Sequence, residues 1–257
     1  MNEVTVSNQT QKADAFRALH VRGKPLVLLN IWDAGSAKAI AAGGAAAIAT
    51  GSWSVAAANG FADGEHLPFD LAIDNLRRIV AAVDLPVTID IESGYGKTAD
   101  AVAASVRRTI EAGAVGCNLE DSFPENGTLR AIDEQVQRLR AARKAADDLN
   151  IPYFINARTD VFFQAGVRHD DAAVDSALAR AQAYAAAGAD GLFAPGLADE
   201  GLIARLASAS PLPLNIMAGA KTPAAARLAK LGVARISHGP GPYRLAMKML
   251  EDPARNS

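Results

Sequence analysis

Cysteine is nearly absent from this sequence, since Cys117 is the only one among 257 residues. A chain with one cysteine has neither an internal disulfide framework nor a thiolate zinc site, and such usage is typical of a reducing compartment. The sequence also lacks any apolar run near the roughly 20 residues of a membrane span. Its N-terminus lacks the basic and apolar regions of a secretion signal. We therefore expect a cytoplasmic protein with no membrane partner.

An excess of either charge is also missing. The 26 Lys and Arg residues nearly balance the 28 Asp and Glu residues, so the formal net charge is -2. Without a basic excess, the chain lacks the electrostatic footprint of nucleic-acid binding. Hydrophobic residues make up 50% of the chain and charged residues 21%, which is ordinary for a globular protein and excludes a disordered one. A small molecule is therefore the expected partner.

The sequence does contain an alternation of two kinds of segment. Short β-branched or aliphatic runs predict strands, and amphipathic runs at helical period predict helices. The predicted strands are Leu26–Ile31, Ala46–Thr50, Val87–Ile91, Gly116–Leu119, Tyr153–Ala157, Gly191–Phe193, Leu214–Met217 and Arg235–Ser237. The predicted helices are Ser36–Ala42, Phe69–Val83, Ala99–Ala112, Ile132–Leu149, Asp171–Ala187, Asp199–Ala207, Pro223–Leu231 and Pro242–Leu250, with an extra N-terminal helix at Gln9–Val21.

Eight consecutive strand–helix pairs follow one another without a linker rich in Pro, Gly or Ser. This favours a single α/β domain over residues 1–257, with a core of about residues 16–250, folded as a closed (β/α)8 barrel of the TIM type. An open doubly wound sheet also alternates strand and helix, so the pattern alone leaves it as an alternative. In a barrel, the chemistry lies on the loops that follow the carboxyl ends of the strands.

Acidic residues cluster at the ends of two predicted strands. Asp90 and Glu92 lie two residues apart, so strand alternation points both carboxylates the same way, and Glu120 ends the next strand. Carboxylates directed at one small space repel each other unless a cation neutralises them. Hard oxygen ligands without a nearby His or Cys pair favour magnesium or manganese over zinc. The alternative is that these acids cap helices or pair with Arg158 and Lys97.

A cationic residue and a small-residue turn follow two other strands. Arg158 is expected to stand opposite the acids, where it offers a bidentate fork for a carboxylate or phosphonate. Its alternative role is to neutralise the acid cluster. In Gly51-Ser52-Trp53, small residues let backbone N–H groups approach an anion, although a plain turn is the more common meaning of such a stretch.

The cysteine and the histidines give weaker signals. Cys117 lies inside a predicted strand with no His nearby in sequence, which predicts a buried core thiol. His238 follows the last strand, where catalysis, core packing and helix capping are alternatives. His20, His66 and His169 are predicted to be ordinary surface residues.

Several segments, in their order and spacing, resemble the isocitrate lyase/phosphoenolpyruvate mutase superfamily from about Phe16 to Met249. They are Asn30-Ile31-Trp32-Asp33-Ala34, Asn59-Gly60-Phe61-Ala62-Asp63-Gly64, Asp90-Ile91-Glu92-Ser93-Gly94-Tyr95-Gly96, Asn118-Leu119-Glu120-Asp121 and Asn156-Ala157-Arg158-Thr159-Asp160. The resemblance implies a metal-dependent enzyme that makes or breaks a C–C or P–C bond next to a 2-oxo acid through an enolate intermediate.

The resemblance also implies a metal site and its ligands. Asp90 matches the acid that binds Mg2+ directly in members of the superfamily. Asp63, Glu92 and Glu120 match the acids that reach the ion through water. The substrate's 2-oxo acid group is expected to chelate the same ion.

Substrate-binding positions follow from the same resemblance. The backbone matched by Gly51, Ser52 and Trp53 holds an anionic oxygen of the substrate. Arg158 matches the arginine that clamps the substrate, and Asn215 matches a polar strand position used in the lyases.

One loop departs from the pattern of the superfamily. Isocitrate and methylisocitrate lyases carry a Lys-(Lys/Arg)-Cys-Gly-His loop after the segment matched by Glu120-Asp121, and its Cys is the proton donor. This chain reads Ser122-Phe123-Pro124-Glu125-Asn126-Gly127-Thr128-Leu129 there, without Cys, Lys or His. The phosphonate-processing branch carries a Lys and an Asn-Ser pair after a Phe-Pro step, of which Phe123-Pro124 and Asn126 are matched and the Lys is missing.

We therefore predict a Mg2+-dependent C–C bond lyase or decarboxylase acting on a small 2-oxo or 2-hydroxy di- or tricarboxylate. Asn126 or His238 is expected to manage water or protons. The alternatives are a P–C bond enzyme, of the phosphoenolpyruvate mutase or phosphonopyruvate hydrolase type, and a non-catalytic 2-oxo acid binding protein. Relatives form tetramers, often exchanging a C-terminal helix, so the resemblance implies a homo-oligomer, either a tetramer or a dimer.

Overall fold

Parallel strands and helices alternate along the chain. A computed structural model describes residues 3–255. The strands are β1 Leu26–Leu28, β2 Asn30–Ile31, β3 Ile48–Thr50, β4 Val87–Asp90, β5 Gly116–Glu120, β6 Phe154–Arg158, β7 Gly191–Phe193, β8 Leu214–Met217 and β9 Arg235–Ser237. The α-helices are α1 Glu3–Ala18, α2 Ala34–Ala42, α3 Ser52–Ala58, α4 Phe69–Ala82, α5 Ala99–Glu111, α6 Ile132–Asp147, α7 Asp171–Ala186, α8 Glu200–Ala209, α9 Ala225–Lys230 and α10 Gly241–Arg255.

The sheet closes on itself through its first strand. β1 pairs with β9, with Leu26 opposite Arg235, and β2 pairs with β3, with Asn30 opposite Ala49. Because β1 and β2 are separated only by Leu29, the order β1-β9-β8-β7-β6-β5-β4-β3-β2 describes one continuous ring of parallel strands. The predicted (β/α)8 barrel is confirmed, and the open doubly wound sheet is not the architecture.

Predicted and observed elements differ mainly at their ends. The predicted strand Leu26–Ile31 is interrupted at Leu29. The predicted helix from Ser36 begins at Ala34, because the Asp33 carboxylate accepts from the Ser36 N–H and forms a capping box there. A helix, α3, stands at Ser52–Ala58, where the sequence predicted only a turn with an anion-binding backbone.

Two glycines show why the helix-to-strand turns need that residue. Gly113 and Gly188 follow α5 and α7 with φ of 98° and 96°, the left-handed conformation that ends many helices. A Cβ on Gly113 would lie 2.7 Å from Val80 Cγ1, and one on Gly188 would lie 2.8 Å from Arg143 Cγ. Side chains are therefore excluded at both turns by backbone conformation and by space.

An ion cluster joins α1 to the barrel at the face opposite the strand ends. The Asp190 carboxylate accepts from Arg17 Nη1 at 2.5 Å, from Arg143 Nη2 at 2.5 Å and from the Ile155 N–H at 2.8 Å. Both oxygens of a half-buried carboxylate are thereby satisfied, which makes the cluster stabilising rather than costly.

Among residues 3–255, no helix has the combined length and apolar character that crossing a membrane requires.

His20 does not lie on the surface, as the sequence predicted, but in the contact between α1 and β6. Its ring stacks on Phe154 with 4.0 Å between centroids, and its Nδ1 bonds the Phe16 carbonyl oxygen at 2.8 Å. Burial lowers the pKa of His20 to about 3. The prediction was wrong because the residues that cover the ring are distant in sequence.

Stability should therefore fall in acid through His20. The folded pKa lies below the unfolded value of 6.5, so the unfolded chain binds more protons between about pH 6.5 and 3. The contribution is fully present above pH 6.5 and should be lost at about 1.4 kcal/mol per pH unit below it. Urea titrations across this range should show a shallower pH slope for His20→Phe than for the unsubstituted protein. His169→Phe, at an exposed histidine, should retain the original slope, and equal slopes for all three proteins would contradict the prediction.

Candidate active site

A small cavity opens at the carboxyl ends of the strands. Its volume is about 190 Å³, which suits a ligand smaller than most drug-like molecules. Residues from both halves of the barrel line it, namely Asn30, Gly51, Ser52, Trp53, Asp63, Asp90, Asn118, Arg158, Phe163, Phe193, Met217, Ser237, Gly239 and Pro240. Six of the predicted site residues are among them: Gly51, Ser52, Trp53, Asp63, Asp90 and Arg158.

Asp90 is the carboxylate at the centre of one wall. It ends β4, where its own N–H donates to Thr50 Oγ1 at 3.0 Å and its Oδ1 accepts from the Glu92 N–H at 3.2 Å. Its Oδ2 accepts from Ser52 Oγ at 3.3 Å. Asp90 has no ion pair with an Arg or Lys among the described residues, so its charge is available to a ligand in the cavity.

Asp63 stands near Asp90 on the loop between α3 and α4. Partial burial raises the pKa of Asp63, and the nearby charge of Asp90 raises it further, while a hydrogen bond from Ser52 opposes the shift. Two carboxylates that repel across a cavity are stabilised by a cation between them. The pair therefore has the electrostatics of a cation site.

Glu92 is turned away from the cavity, although strand alternation predicted that it points with Asp90. β4 ends at Asp90, and Glu92 has a φ of 51°, so the alternation does not continue. Its Oε2 accepts from the N–H groups of Gly64 and Glu65, both at 2.7 Å, and its Oε1 accepts from Tyr95 Oη at 3.0 Å. Glu92 thus anchors the loop that carries Asp63.

The environment of Glu92 also changes its protonation. Burial is the main cause that raises the pKa of Glu92 to about 7, and the charges of Asp63 and Asp90 add to it. The bonds from Glu65 and Tyr95 oppose this shift. The carboxyl therefore titrates near neutral pH when no cation is present.

Arg158 faces two carboxylates from neighbouring positions. Its Nη1 lies 2.8 Å from Glu120 Oε2, and its Nε and Nη2 donate to the two oxygens of Asp160 at 2.6 and 3.0 Å. Burial lowers the pKa of Arg158, but the charges of Glu120 and Asp160 outweigh burial, so the pKa is raised overall. The pKa of Glu120 is itself raised, mainly by burial. Arg158 therefore pairs with the acids, which is one of the two roles considered from the sequence. It also lines the cavity, which the other role, binding an anionic substrate, requires.

The donor set fits a hard cation that keeps its own water. Among the side chains of residues 7–255, no three His, Cys, Asp or Glu groups are placed to hold a metal by protein ligands alone. Mg2+ is usually bound through one or two carboxylates, with waters and substrate oxygens completing its octahedron. Asp90 and Asp63 bring carboxylates to the cavity for the ion or its waters. The oxygens of Glu92 and Glu120 are already engaged by protein donors and could reach an ion only through water.

The first residues of α3 line the cavity next to Asp90. Gly51 precedes α3, and the first N–H groups of a helix lack intrahelical acceptors. A Cβ on Gly51 would lie 3.3 Å from Asn30 Cβ, so a larger residue would crowd the wall. Trp53 is covered by the Arg244 guanidinium, 4.7 Å from the ring centroid, and by Tyr243 at 5.9 Å.

Besides Glu92 and Glu120, three predicted site residues lie apart from this cavity. The exposed Asn126 folds back on its own loop, where its Oδ1 accepts from the N–H and Oγ1 of Thr128 at 2.9 and 2.6 Å. His238 lines a separate groove with Leu245 and Met249, and partial burial lowers its pKa. Asn215 is buried inside the barrel, where its Nδ2 donates to Ser237 Oγ at 3.2 Å. Their predicted roles remain predictions.

Asn30 and Asn118 are two of the lining residues to which the sequence assigned no role. Asn30 accepts from the N–H groups of His238 and Gly239, both at 2.9 Å, and donates from Nδ2 to the Thr50 carbonyl oxygen at 2.9 Å. It thereby joins the last strand of the barrel to the first. Asn118 lies beside Asp90 across the pairing of β4 and β5. Both belong to segments that carried the resemblance, and their position at strand ends was the available signal.

Cys117 has no part in this cavity. Its side chain is fully buried, and burial raises the pKa of the thiol to about 12. A thiol in this state is neither a nucleophile nor a metal ligand at neutral pH, so the predicted core position is confirmed.

Comparisons with known proteins identify the family of this chain. A family model described as phosphoenolpyruvate phosphomutase matches residues 16–257. A crystal structure from Burkholderia cenocepacia J2315, provisionally named a phosphonomutase, is 57% identical with a TM-score of 0.94, over 96% of this chain and 99% of that chain. The 2-methylisocitrate lyase of Escherichia coli strain K12 is 32% identical over 219 residues, which represent 81% of this chain and 71% of the lyase. A phosphonopyruvate hydrolase, crystallised as a complex with oxalate and Mg2+, is 25% identical with a TM-score of 0.82, over 94% of this chain and 84% of that chain.

Proposed function

This chain belongs to the phosphoenolpyruvate phosphomutase family of lyases and mutases, and from that membership we propose a specific activity. The protein is a Mg2+-dependent C–C bond lyase or decarboxylase acting on a small 2-oxo or 2-hydroxy di- or tricarboxylate through an enolate. The observation that carries the proposal is a single cavity of about 190 Å³ in which Asp63, Asp90 and Arg158 meet. The two acids suit a cation, and the guanidinium suits an anionic ligand that chelates this cation.

The acids have separate tasks in the proposed reaction. Asp90 would hold the ion directly, while Asp63, Glu92 and Glu120 would bind its waters. When bound, Mg2+ supplies positive charge that stabilises the negative charge developing on the C2 oxygen as the bond to C3 breaks. Stabilisation that is stronger in the transition state than in the ground state is what accelerates a reaction.

Arg158 would provide a second positive charge on the other side of the substrate. Three of the five N–H groups of the guanidinium face Glu120 and Asp160. The other two remain for a substrate carboxylate or the developing oxyanion. Because Asp160 holds Nε and Nη2 together, the plane of the guanidinium is set before the substrate binds, which lowers the entropy cost of binding.

The loop from Ser122 to Leu129 favours this activity over authentic methylisocitrate cleavage. It contains no Cys, Lys or His, so it offers no side chain equivalent to the proton-donating cysteine of the lyases. The loop is closed by a Ser122–Leu129 bridge and by a bond from Gln164 Nε2 to the Gly127 carbonyl oxygen at 2.9 Å. Asn126, on this loop, and His238 are proposed to manage water or protons, which requires a rearrangement that brings either side chain to the cavity.

A substrate panel tests the proposal. Oxaloacetate and substituted malates should release pyruvate or glyoxylate in the presence of Mg2+ or Mn2+, measured by coupled reduction of the product. Addition of EDTA should stop the release, and added Mg2+ should restore it. No turnover of any panel member with either cation would reject the proposed activity.

P–C bond chemistry is a second candidate, favoured by one comparison. The Burkholderia cenocepacia structure, at 57% identity, is provisionally named a phosphonomutase. Phosphonopyruvate incubated with the protein and Mg2+ should then release phosphate or form a new phosphate ester, and phosphorus NMR distinguishes the two. An unchanged phosphonate signal alongside turnover of oxaloacetate would exclude this candidate.

We also propose that the chain forms a homo-oligomer through α10. This helix contains no buried residue, and Leu245, Met249 and Leu250 are each 65 to 67% exposed. A groove of about 780 Å³ lies between α10 and α2, lined by Leu29, Trp32 and other apolar side chains. Exposed apolar surface of this kind usually marks an interface, and a second copy would cover it.

Substitution on α10 should dissociate the assembly. Leu245→Asp combined with Met249→Asp places two charges on the apolar face, so the mass measured by light scattering after size exclusion should fall toward that of one chain, 26.7 kDa. Ala179→Asp, on the exposed face of α7, adds a charge elsewhere and should leave the mass unchanged. A monomeric unsubstituted protein would contradict the proposed assembly.

A further inference from the structure

Arg235 is a buried cation that forms no direct ion pair. It lies on β9 with 1% of its surface exposed, and no carboxylate among the described residues lies within ion-pair distance of it. Its Nε and Nη2 donate to Ser237 Oγ and Asn118 Oδ1, both at 3.3 Å, while Nη1 is buried without a hydrogen-bond partner. Burial lowers the pKa of Arg235 to about 10, although the charge of Asp90 opposes this shift, and the guanidinium stays charged at neutral pH.

A charge in a barrel core is costly, because burial removes its hydration and no carboxylate contacts Arg235 directly to offset that loss. An apolar side chain would fill the same space at lower cost. The charge therefore indicates a task that packing alone does not require. The groups that Arg235 touches on neighbouring strands point to that task.

Asn118 is the contact that reaches the cavity. Its Oδ1 accepts from Asn156 Nδ2 at 2.9 Å and from Arg235 Nη2 at 3.3 Å. An oxygen held by two donors defines which way the amide is turned. The Nδ2 group then points away from both donors, and it has no hydrogen-bond acceptor in the part of the chain that the structure describes. Asn118 lines the cavity beside Asp90.

The reverse orientation of this amide is electrostatically unfavourable. Turning it over would set the Nδ2 group against the donors of Asn156 and Arg235 and would direct Oδ1 toward the carboxylate of Asp90. Donors would face donors and oxygen would face oxygen. The bond from Asn156 is the shorter of the two, and the bond from Arg235 adds a positive charge that attracts the amide oxygen.

We propose that Asn118 is a substrate-binding residue whose Nδ2 donates to an oxygen of the bound ligand, and that Arg235 is the positioning residue that keeps the amide in this orientation. The inference rests on the proposed function, because it takes the ligand to be an oxygen-rich 2-oxo acid. It adds a neutral donor next to the carboxylate wall, where the family resemblance assigned none.

Oxalate binding at saturating Mg2+, measured by calorimetry, tests the role of Asn118 without any turnover. Asn118→Leu removes the donor and should raise the Kd for oxalate by about 10- to 100-fold. Asn118→Asp also removes the donor but gives Arg235 a carboxylate partner. The attraction to Arg235 offsets the repulsion from Asp90, so its melting temperature should stay close to that of the unsubstituted protein while its oxalate affinity falls. A loss of affinity without a loss of stability separates a binding role from a structural one.

The role of Arg235 is tested by a double-mutant cycle. Arg235→Met should weaken oxalate binding in the unsubstituted background and have no further effect in Asn118→Leu, because it acts through the amide. Arg235→Lys retains a charged donor and should recover part of the loss. The control is Thr88→Val, since Thr88 Oγ1 is buried without a partner and does not line the cavity; this variant should bind oxalate within about twofold of the unsubstituted protein.

Two results would overturn the inference while the proposed function stands. One is an oxalate Kd for Asn118→Leu within about twofold of the original, with turnover of the substrate panel intact. The other is an equal loss from Arg235→Met in both backgrounds, which would make Arg235 a long-range charge rather than a positioning residue. Absence of Mg2+-dependent oxalate binding by the unsubstituted protein would instead reject the ligand class, and with it this inference.

Discussion

Replacing Asp90 by asparagine should lower kcat/KM with Mg2+ by about three orders of magnitude, the largest loss expected of any single substitution. The amide keeps the size of the side chain and an oxygen to accept from the Glu92 N–H, but it cannot supply the charge that holds a divalent ion. Metal stabilisation of a developing oxyanion is worth several kcal/mol, which corresponds to about this factor in rate. Initial rates at a series of Mg2+ concentrations would measure the loss, and calorimetry would measure the weakened binding of the ion.

The metal-free stability of the same variant distinguishes a ligand from a structural acid. The charge of Asp90 raises the pKa of both Asp63 and Glu92, which is a sign of repulsion. The same charge raises the pKa of Arg158 and Arg235, which is a sign of attraction. Because the two effects oppose each other, its removal should leave the melting temperature of the metal-free protein nearly unchanged. Asp33→Ala is the matched control, because Asp33 caps α2. That variant should lose about 1 kcal/mol of stability and keep its rate.

If Asp90→Asn instead lost stability and kept its rate, Asp90 would be a structural cap like Asp33. The metal assignment would then be wrong.

Arg158→Lys should lower kcat/KM by about two to three orders of magnitude. A lysine supplies a point charge without the planar fork, so it cannot pair with Asp160 through two atoms and also face Glu120 and the cavity. Loss of one preorganised donor to a developing oxyanion typically costs this much in rate. Steady-state kinetics on the substrate identified by the panel would measure it, and the split between KM and kcat would separate ground-state binding from transition-state stabilisation.

Arg158→Met should show how strongly the same guanidinium stabilises the fold. Removing it leaves the buried carboxyls of Glu120 and Asp160 without their partner, which costs about 3–5 kcal/mol when a buried pair is broken. The matched control is Arg180→Lys, which weakens a buried pair with Asp121 away from the cavity. It should reduce stability and leave the kcat/KM of the folded protein unchanged. Equal kinetic losses in both variants would mean that Arg158 acts only through stability.

The architecture was largely predictable because it depends on local periodicity. Strands such as Leu214–Met217 and Arg235–Ser237 were predicted at their observed bounds, since short apolar runs between helix-terminating residues admit few other structures. Closure of the barrel was less secure, because it depends on β1 pairing with β9 across most of the chain. The helix at Ser52–Ala58 was missed, since a seven-residue helix between two turns leaves little periodicity.

At the candidate site, the sequence indicated the residue types but not their contacts. Arg158 was predicted to stand opposite the acids that include Asp90, and both residues line the cavity. Glu92 was expected to follow the alternation of its strand, yet the backbone turns at a φ of 51° and directs the carboxylate to Gly64 and Glu65. A local rule of alternation fails where the strand ends, which is also where catalytic residues of barrels lie.

The sequence by itself determined the alternation of strands and helices, the buried state of Cys117 and the presence of acids and an arginine at strand ends. Only the tertiary structure decided how those groups are used. Asn118 and Arg235 are 117 residues apart, and their contact and the orientation of the amide arise from closure of the barrel. Periodicity is a property of neighbouring residues, whereas the charge and hydrogen bonds at a site depend on residues that meet only after folding.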